Sequence, residues 1–154
     1  MANVEAVISS AKQDCAKAGA RLTEKRENVL RLLLKQNAPI SAYGIVDLYR
    51  DEFGEGLPAM SVYRMLDFLQ EHKLAHKLTT SNQYLPCSHI ACDHDHKVPQ
   101  FLICDTCQRV EEVGLRKELM LELQNSVKKT GFVLENQQLE LHGRCRDCDS
   151  NKRK

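Results

Sequence analysis

Residues 54–85 read GEGLPAMSVYRMLDFLQEHKLAHKLTTSNQYL, and this stretch contains the signals for a turn, a helix and a hairpin in succession. Its first five residues hold two glycines and a proline, which is typical of a turn-rich linker. The polar pair Ser81-Asn82 separates two short runs and predicts a hairpin over residues 76–85. Apolar residues at helical spacing predict a helix over residues 59–72, with an inward stripe formed by Met60, Val62, Met65, Leu66 and Leu69.

Three further helices are predicted before this stretch, over residues 4–18, 24–36 and 42–52. Thr23 and Ser41 lie directly before the second and the third helix, where their hydroxyl groups can cap free backbone N–H groups. Compact helices followed by a hairpin are the outline of a winged helix, and the helix after the Gly/Pro linker would enter the major groove of DNA. A small helical domain without DNA-binding function fits the same pattern equally well.

The helix predicted to enter the groove exposes Ser61, Tyr63 and Arg64. Arg64 has the donors to pair with guanine or phosphate, and Tyr63 can contact a thymine methyl group or a phosphate. The net charge adds no support, because residues 1–85 hold eleven Lys and Arg against ten Asp and Glu, and residues 86–154 hold eleven of each. Binding of nucleic acid would therefore depend on a local patch of cations.

The second half of the chain predicts a small α/β unit, which begins after an irregular stretch rich in Cys, His and Asp. The predicted elements are strands over 100–103 and 109–113, a helix over 116–130 with Leu119, Met120, Leu123 and Val127 inward, one further strand suggested by 132–134 and 138–141, and a disordered tail over 149–154. The predicted fold class is α+β, with a winged-helix domain at residues 1–85, a hinge at 86–97 and a small α/β domain at 98–154.

Two Cys-x-x-Cys pairs, Cys104/Cys107 and Cys145/Cys148, predict one structural zinc ion. Six of the seven cysteines lie in the second half, and in a reducing cytosol such clusters indicate metal or redox chemistry rather than disulfides. Four thiolates suit zinc and leave no open coordination position, so the site would be structural. A thioredoxin-like redox pair is the alternative. It requires only one pair at the start of a helix, and neither pair here is predicted to open one.

A second group of metal donors surrounds the predicted hinge. It comprises His76, Cys87, His89, Cys92, His94, Asp95, His96, Glu111 and Glu112. A site with one thiolate, two imidazoles and a carboxylate matches the ligand types that zinc accepts. Composition alone leaves the choice of ligands open, and a solvated loop rich in His and Asp is the alternative.

Other functional classes receive little support from the sequence. No segment approaches the roughly 20 apolar residues that cross a bilayer and no signal peptide is visible, so we expect a soluble, cytoplasmic protein. A zinc deaminase would carry His-x-Glu before its Cys-x-x-Cys pair, and no His-x-Glu occurs. We therefore expect no enzymatic activity, no small-molecule substrate and no membrane partner. Cys15 is predicted to be a small core residue of the first helix.

Five motifs distributed over nearly the whole chain resemble the ferric uptake regulator family. They are Arg21-Leu22-Thr23-x-x-Arg26, Ser61-Val62-Tyr63-Arg64, His94-Asp95-His96, Ile103-Cys104-Asp105-x-Cys107 and His142-Gly143-x-Cys145-x-x-Cys148. Within that family the chain is most similar to the zinc uptake regulator branch, through Ser41-Ala42-Tyr43, the run from Ser61 to Leu69, His76-Lys77 and Tyr84-x-x-Cys87.

The resemblance implies a homodimeric, zinc-responsive repressor that binds palindromic operator DNA and represses zinc uptake genes. It also implies that the second domain is the dimerisation domain and that each chain holds two zinc ions. The structural ion would bind Cys104, Cys107, Cys145 and Cys148, and the regulatory ion would bind His76, Cys87, His96 and Glu112. The expected DNA contacts are Arg21, Arg26, Ser61, Tyr63 and Arg64.

Alternatives within the same family concern the sensed signal and the ligand set. A regulator that responds to iron, manganese or peroxide is the second prediction, although the soft thiolate of Cys87 favours zinc. In the regulatory site, His89, Cys92 or His94 can replace His96, and Glu111 can replace Glu112. Relatives that carry a further metal site have a histidine where this chain has Gln137.

Overall fold

Two units make up the chain, Met1–Asp93 and His94–Lys154, in a computed structural model that describes residues 3–90 and 98–150. Both helices and strands are present, which confirms the α+β fold class. The domain limits at residues 85 and 97 stay a prediction, and part of the predicted hinge lies outside the described residues. Within the described ranges, no helix is both long enough and apolar enough to cross a membrane.

The N-terminal unit has a winged-helix architecture, as the sequence predicts. Its elements are α1 (Val4–Lys17), α2 (Glu24–Lys35), β1 (Ile40–Ser41), α3 (Ala42–Phe53), α4 (Ala59–Glu71), β2 (Ala75–Leu78) and β3 (Gln83–Pro86). The strands form one antiparallel sheet in the order β1-β3-β2. Strand β1 is not predicted from the sequence, because two residues are too few to show strand periodicity.

Local side-chain chemistry explains several helix ends in this unit. The Ser41 hydroxyl accepts a hydrogen bond of 3.1 Å from the Gly44 N–H group and caps α3, as predicted. Thr23 occupies the N-cap position of α2, but its side chain makes no capping hydrogen bond. At the end of α3, Gly54 has a φ of 66°, a left-handed conformation that glycine adopts without steric cost.

The core of the N-terminal unit lies against one face of α4, formed by Val62, Leu66 and Leu69. The prediction that Met60 also points inward is wrong, since its side chain is 65% exposed. Met60 precedes Val62 by two residues, which places it roughly 200° around the helix from Val62 and away from the core. Cys15 is buried in the same core, as predicted.

The C-terminal unit is built around a central strand with one antiparallel and one parallel neighbour. Its elements are β4 (Pro99–Cys104), β5 (Val110–Gly114), α5 (Lys117–Lys129), β6 (Glu140–Gly143) and α6 (Arg146–Ser150). The strand order is β5-β4-β6, with β5 antiparallel and β6 parallel to β4. A parallel neighbour requires a crossover connection, and α5 lies within that connection.

Three predictions for this unit are wrong. Phe132 and Val133 are irregular and exposed rather than part of a strand, because the sheet position beside β4 is taken by β6. Leu119 is exposed although its neighbour Met120 is buried, since only one side of α5 packs onto its own sheet. The tail predicted to be disordered begins in fact with the end of α6, and residues 151–154 lie outside the described residues.

Candidate metal centres and DNA interface

The four cysteines of the two Cys-x-x-Cys pairs converge in the C-terminal unit. The sulfur atoms of Cys104, Cys107, Cys145 and Cys148 all lie within 4.8 Å of one another. The Sγ atoms of Cys107 and Cys145 are 3.8 Å apart, and all four cysteines are free rather than disulfide-bonded. Zinc–sulfur bonds of about 2.3 Å at tetrahedral angles place neighbouring sulfurs about 3.8 Å apart. The geometry therefore fits a tetrahedral zinc ion held by four thiolates.

Parallel pairing of β4 with β6 brings the two cysteine pairs together. Cys104 ends β4 and lies opposite Gly143, the last residue of β6. The Asp105 N–H group donates to the Gly143 carbonyl over 2.9 Å, which extends the contact by one residue. Because parallel strands end at the same edge of a sheet, the segments that follow them begin side by side. Cys107 and Cys145 lie in these two segments.

Backbone amides prepare Cys104 to bind as a thiolate. The Cys145 N–H group donates to the Cys104 sulfur over 3.3 Å. Hydrogen bonds from the N–H groups of Cys107 and Cys145 lower the pKa of Cys104 to about 6. Hydrogen bonding to Cys145, with burial as a second cause, raises the pKa of Cys148 to about 12. Zinc binding at neutral pH must therefore displace the Cys148 proton, whereas Cys104 is already ionised.

The prediction that neither cysteine pair opens a helix is wrong for Cys145/Cys148. Helix α6 begins at Arg146, directly after Cys145, and includes Cys148. Five residues are too few to reveal a helix by periodicity. A helix start is also the position of a reactive cysteine in a redox pair, so this feature alone does not separate the two interpretations. The convergence of all four sulfur atoms does separate them, because a redox pair requires only two.

The sequence does not predict two polar contacts that lie beside the four sulfur atoms. His142 Nδ1 lies 2.7 Å from Asp105 Oδ1, and Arg109 lies 3.5 Å from Asp147. Each contact joins a residue near the first cysteine pair to a residue near the second. In the sequence Asp105 follows Cys104 and His142 precedes Cys145. This spacing does not indicate that the side chains of Asp105 and His142 contact each other. These contacts hold the two segments together in addition to any metal.

The second candidate metal group begins in the hairpin of the N-terminal unit. His76 lies on β2 opposite Leu85, and Cys87 follows β3 directly. Their ligand atoms lie within 4.8 Å of each other. Cys87 is buried, its N–H group donates to the Leu74 carbonyl over 3.0 Å, and the Nε2 atom of His76 is also buried. One imidazole and one thiolate at this distance suit a soft metal ion.

The other predicted ligands of the regulatory site belong to different parts of the chain. Glu112 lies on β5 of the C-terminal unit, where it is half-buried, and Glu111 beside it is exposed. His89 is half-buried in the turn after Cys87. The remaining candidates, Cys92, His94, Asp95 and His96, lie outside the described residues.

Three of the five predicted DNA contacts share a surface where α2 begins and α4 faces solvent, and Arg21 and Tyr63 do not line that surface. Arg64 is exposed, whereas Ser61 and Tyr63 are half-buried. An open pocket of about 410 Å³ lies between the two helices and is lined by Thr23, Glu24, Lys25, Arg26, Ser61, Arg64 and Met65. The structure therefore brings Arg26, Ser61 and Arg64 to one concave surface, although they are far apart in sequence.

Arg26 makes specific contacts within the N-terminal unit. Its guanidinium carbon lies 3.7 Å from the centre of the Phe68 ring, and its Nη1 atom donates to the Arg21 carbonyl over 2.9 Å. The Phe68 ring in turn contacts the His72 ring in a tilted arrangement, with ring centres 4.3 Å apart. The sequence places Phe68 one turn after Arg64, but it does not indicate which side chain covers the ring.

Residues 17–142 match a family model that is described as the ferric uptake regulator family. The zinc uptake regulation protein of Escherichia coli (strain K12) is 37% identical over 144 residues, which cover 92% of this chain and 81% of the relative. The ferric uptake regulation protein of Synechococcus elongatus is 28% identical over 143 residues, which cover 91% of this chain and 93% of the relative.

Two solved structures are similar over nearly the whole chain. One is described as a zinc uptake regulator complexed with zinc and DNA; it has a TM-score of 0.84 at 31% identity and covers 100% of both chains. The other, described as the crystal structure of holo XcZur, has a TM-score of 0.77 at 35% identity and covers 93% of this chain and 96% of the other.

Proposed function

Because this chain belongs to the ferric uptake regulator family, we propose that it is a zinc-responsive transcriptional repressor. It binds palindromic operator DNA as a zinc-loaded homodimer in the cytoplasm and represses genes of zinc uptake. Its action requires no enzymatic step and no small-molecule substrate. The similarity to a zinc uptake regulation protein and to a solved zinc uptake regulator with zinc and DNA supports this function.

Two zinc ions per chain are part of the proposal, and the first is structural. Its ligands are Cys104, Cys107, Cys145 and Cys148, supported by the mutual distances of their sulfur atoms. Four thiolates complete the coordination of the ion, so no position remains for exchange with solvent or substrate. This ion would hold the loop after β4 to the start of α6 and stabilise the C-terminal unit in every state of the regulator.

The second ion is regulatory and is bound by His76, Cys87, His96 and Glu112. These ligands come from the hairpin, from the segment after it and from the C-terminal unit, so one ion can link the two units. A link of this kind would fix the winged helices at a separation that matches two operator half-sites. Zinc then shifts the population toward the DNA-binding state by its higher affinity for that state.

Operator binding would use α4 as the helix in the major groove. Arg64 would read guanine or a phosphate, Tyr63 would contact a thymine methyl group, and Ser61 and Arg21 would contact the backbone. The exposure of Arg64 and the common surface that it shares with Ser61 support this assignment.

Dimerisation would occur through the C-terminal unit. Large apolar side chains are exposed there on the sheet, on α5 and in the segment after it: Leu102, Leu119, Leu121, Phe132, Val133 and Leu141. Monomeric proteins rarely expose large contiguous apolar patches, and Leu102 and Leu141 are direct neighbours on paired strands. A second copy of the chain would remove them from water.

One observation supports zinc, rather than iron, manganese or peroxide, as the signal that the regulator senses. Cys87 offers a buried sulfur atom within 4.8 Å of a ligand atom of His76. Iron(II) and manganese(II) sites favour imidazole and carboxylate ligands, whereas a thiolate favours zinc. A peroxide-responsive regulator stays the second candidate because the same thiol can be oxidised.

Metal analysis combined with DNA binding tests the proposal. The purified protein should contain two zinc ions per chain, and operator binding titrated against buffered free zinc should follow only the weaker ion. Cys87→Ser should abolish zinc-dependent binding but leave a folded dimer with one ion, because the four-cysteine group is untouched. Normal zinc-dependent binding by Cys87→Ser would contradict the regulatory site. Loss of wild-type binding on mild oxidation in excess zinc would favour the peroxide-responsive alternative.

A further inference from the structure

Arg26 occupies an unusual position for a residue expected to contact DNA. Its guanidinium carbon lies over the Phe68 ring, 3.7 Å from the ring centre and well inside the roughly 6 Å range of cation–π contacts. One of its nitrogen atoms is also bound to the Arg21 carbonyl. Its charge is therefore engaged between α4 and the segment that precedes α2.

Helical geometry connects this contact to the surface that would read DNA. Arg64 and Phe68 are four residues apart, so they lie on the same side of α4 in successive turns. The same side continues to His72 at the end of the helix, whose ring contacts Phe68 at a tilt of 45°. Arg26 thus touches α4 one turn away from Arg64, the residue best placed to read a base.

The Arg21 carbonyl gives the guanidinium a second anchor. Arg21 precedes α2, and its own side chain is exposed. A single planar group can bind the ring through its face and the carbonyl through its edge, which a lysine ammonium cannot reproduce. Arg26 therefore connects the backbone at Arg21 to Phe68 of α4 and keeps the two at a fixed distance.

We propose that Arg26 is a positioning residue for operator recognition, which acts through Phe68 and the Arg21 carbonyl rather than through a phosphate contact of its own. It holds α4 and Arg21 at the separation that the operator requires. This inference rests on the proposed DNA-binding function. It goes beyond that function because it changes the role of Arg26 from a ligand of DNA to a fixed part of the reading surface.

The two roles of Arg26 differ in how binding depends on salt. Removal of a side chain that binds one phosphate reduces the slope of log affinity against log salt by about 0.9, which amounts to about 1.8 for a dimer with two equivalent chains. A positioning residue binds no phosphate, so its removal leaves the slope unchanged. It instead lowers affinity for the operator more than affinity for unrelated DNA, because only operator binding requires base contacts in register.

The test measures operator and unrelated-DNA binding by zinc-loaded full-length dimers over a range of salt concentrations. Arg26→Lys, which keeps the charge, should weaken operator binding about tenfold, leave binding to unrelated DNA unchanged and leave the salt slope at its wild-type value. Phe68→Leu should have the same effect, and the double variant should be no weaker than either single variant, since both substitutions remove the same interaction. Phe68→Tyr, which keeps the ring, should retain wild-type affinity.

Lys17→Gln is a matched control that removes one exposed cation at the end of α1, where Lys17 pairs with Asp14. It should leave affinity and slope unchanged. Wild-type operator affinity in Arg26→Lys, or a slope reduced by about 1.8 in Arg26→Gln, would overturn the proposal in favour of a phosphate contact. Absence of zinc-dependent operator binding in the wild type would instead overturn the proposed function. The Arg26–Phe68 contact could then still be detected by urea unfolding. The shift of the unfolding midpoint in the double variant would differ from the sum of the shifts in the two single variants.

Discussion

Cys104 is the last residue of β4, and this position explains why its sulfur is ready to bind a metal. The chain turns sharply after it, so the Cys107 N–H group can point back at its sulfur atom, and the pairing of β4 with β6 brings the Cys145 N–H group to the same atom. These donors stabilise the negative charge and lower the pKa of Cys104 to about 6. A cysteine placed in a strand interior would have its neighbouring N–H groups engaged in the sheet.

Proton release should therefore depend on pH at the four-cysteine group. The pKa of Cys104 is lowered, so in the metal-free protein it is a thiolate above about 6 and a thiol below it. Zinc must displace one additional proton below this pH, because only the thiolate binds the metal. Calorimetric titrations in buffers of different protonation enthalpy should show about one more proton released per zinc ion as the pH falls through about 6. A constant proton count across this range would contradict the assignment.

At the scale of elements, β4 organises the C-terminal unit. It is the central strand, and its residue Gln100 has a fully buried side chain. The Gln100 amide nitrogen donates to the Gln137 carbonyl over 2.9 Å, and its amide oxygen accepts from the Leu139 N–H group. These bonds attach the segment before β6 to β4. The parallel pairing that brings the cysteine pairs together depends on this attachment.

Gln100→Leu should destabilise the C-terminal unit by about 2 kcal/mol, because a buried polar group left without a partner costs about 1–3 kcal/mol and the two backbone groups concerned are only partly buried. The substitution keeps the volume of the side chain but leaves the Gln137 carbonyl and the Leu139 N–H group unsatisfied. Urea unfolding of the zinc-loaded protein measures the change. Gln137→Ala is the matched control, since it removes an exposed side chain and keeps the carbonyl, and it should change stability by less than about 0.5 kcal/mol. Equal effects of the two substitutions would contradict the role of Gln100.

For the whole molecule, burial is distributed differently in the two units. The N-terminal unit encloses a core drawn from all four of its helices and from its sheet. The C-terminal unit buries Phe101, Ile103 and Met120, but over residues 98–150 it leaves six large apolar side chains exposed. Small units bury a smaller share of their surface and often need a metal or a partner chain for stability. The four-cysteine group and the exposed apolar side chains are consistent with both needs.

Phe132→Glu should convert the dimer into a monomer if the exposed apolar side chains form the dimer contact. Phe132 is 72% exposed in the single chain, so the substitution should leave the fold intact, but a carboxylate buried in a dimer interface is costly. Sedimentation or light scattering would measure the mass, and operator affinity should fall with it. Tyr43→Glu, at a residue that is 66% exposed on α3, is the control and should stay dimeric. A dimeric Phe132→Glu variant would place the interface elsewhere.

Local pattern predicted the longer elements of both units and missed the shortest ones. Periodicity needs two or more turns of helix, and α2, α3 and α4 each provide them. Strand β1 and helix α6 are too short to show a period. The sequence predicts Met60 and Leu119 to point inward because they are apolar, but both are exposed. Apolar residues are often exposed, and those of an oligomer can be buried by another chain.

Four properties can be read from the amino-acid sequence because they are local: the kinds of ligand, their spacing within each pair, the helical periods and the family motifs. The convergence of four sulfurs and the contact of Arg26 with Phe68 are seen only in the folded chain. Both results depend on contacts between residues about 40 positions apart. Such contacts follow from strand pairing and helix packing, which combine many weak interactions across the whole unit and leave no periodic trace in the sequence. For the two Cys-x-x-Cys pairs, the parallel alignment of β4 and β6 is the deciding contact.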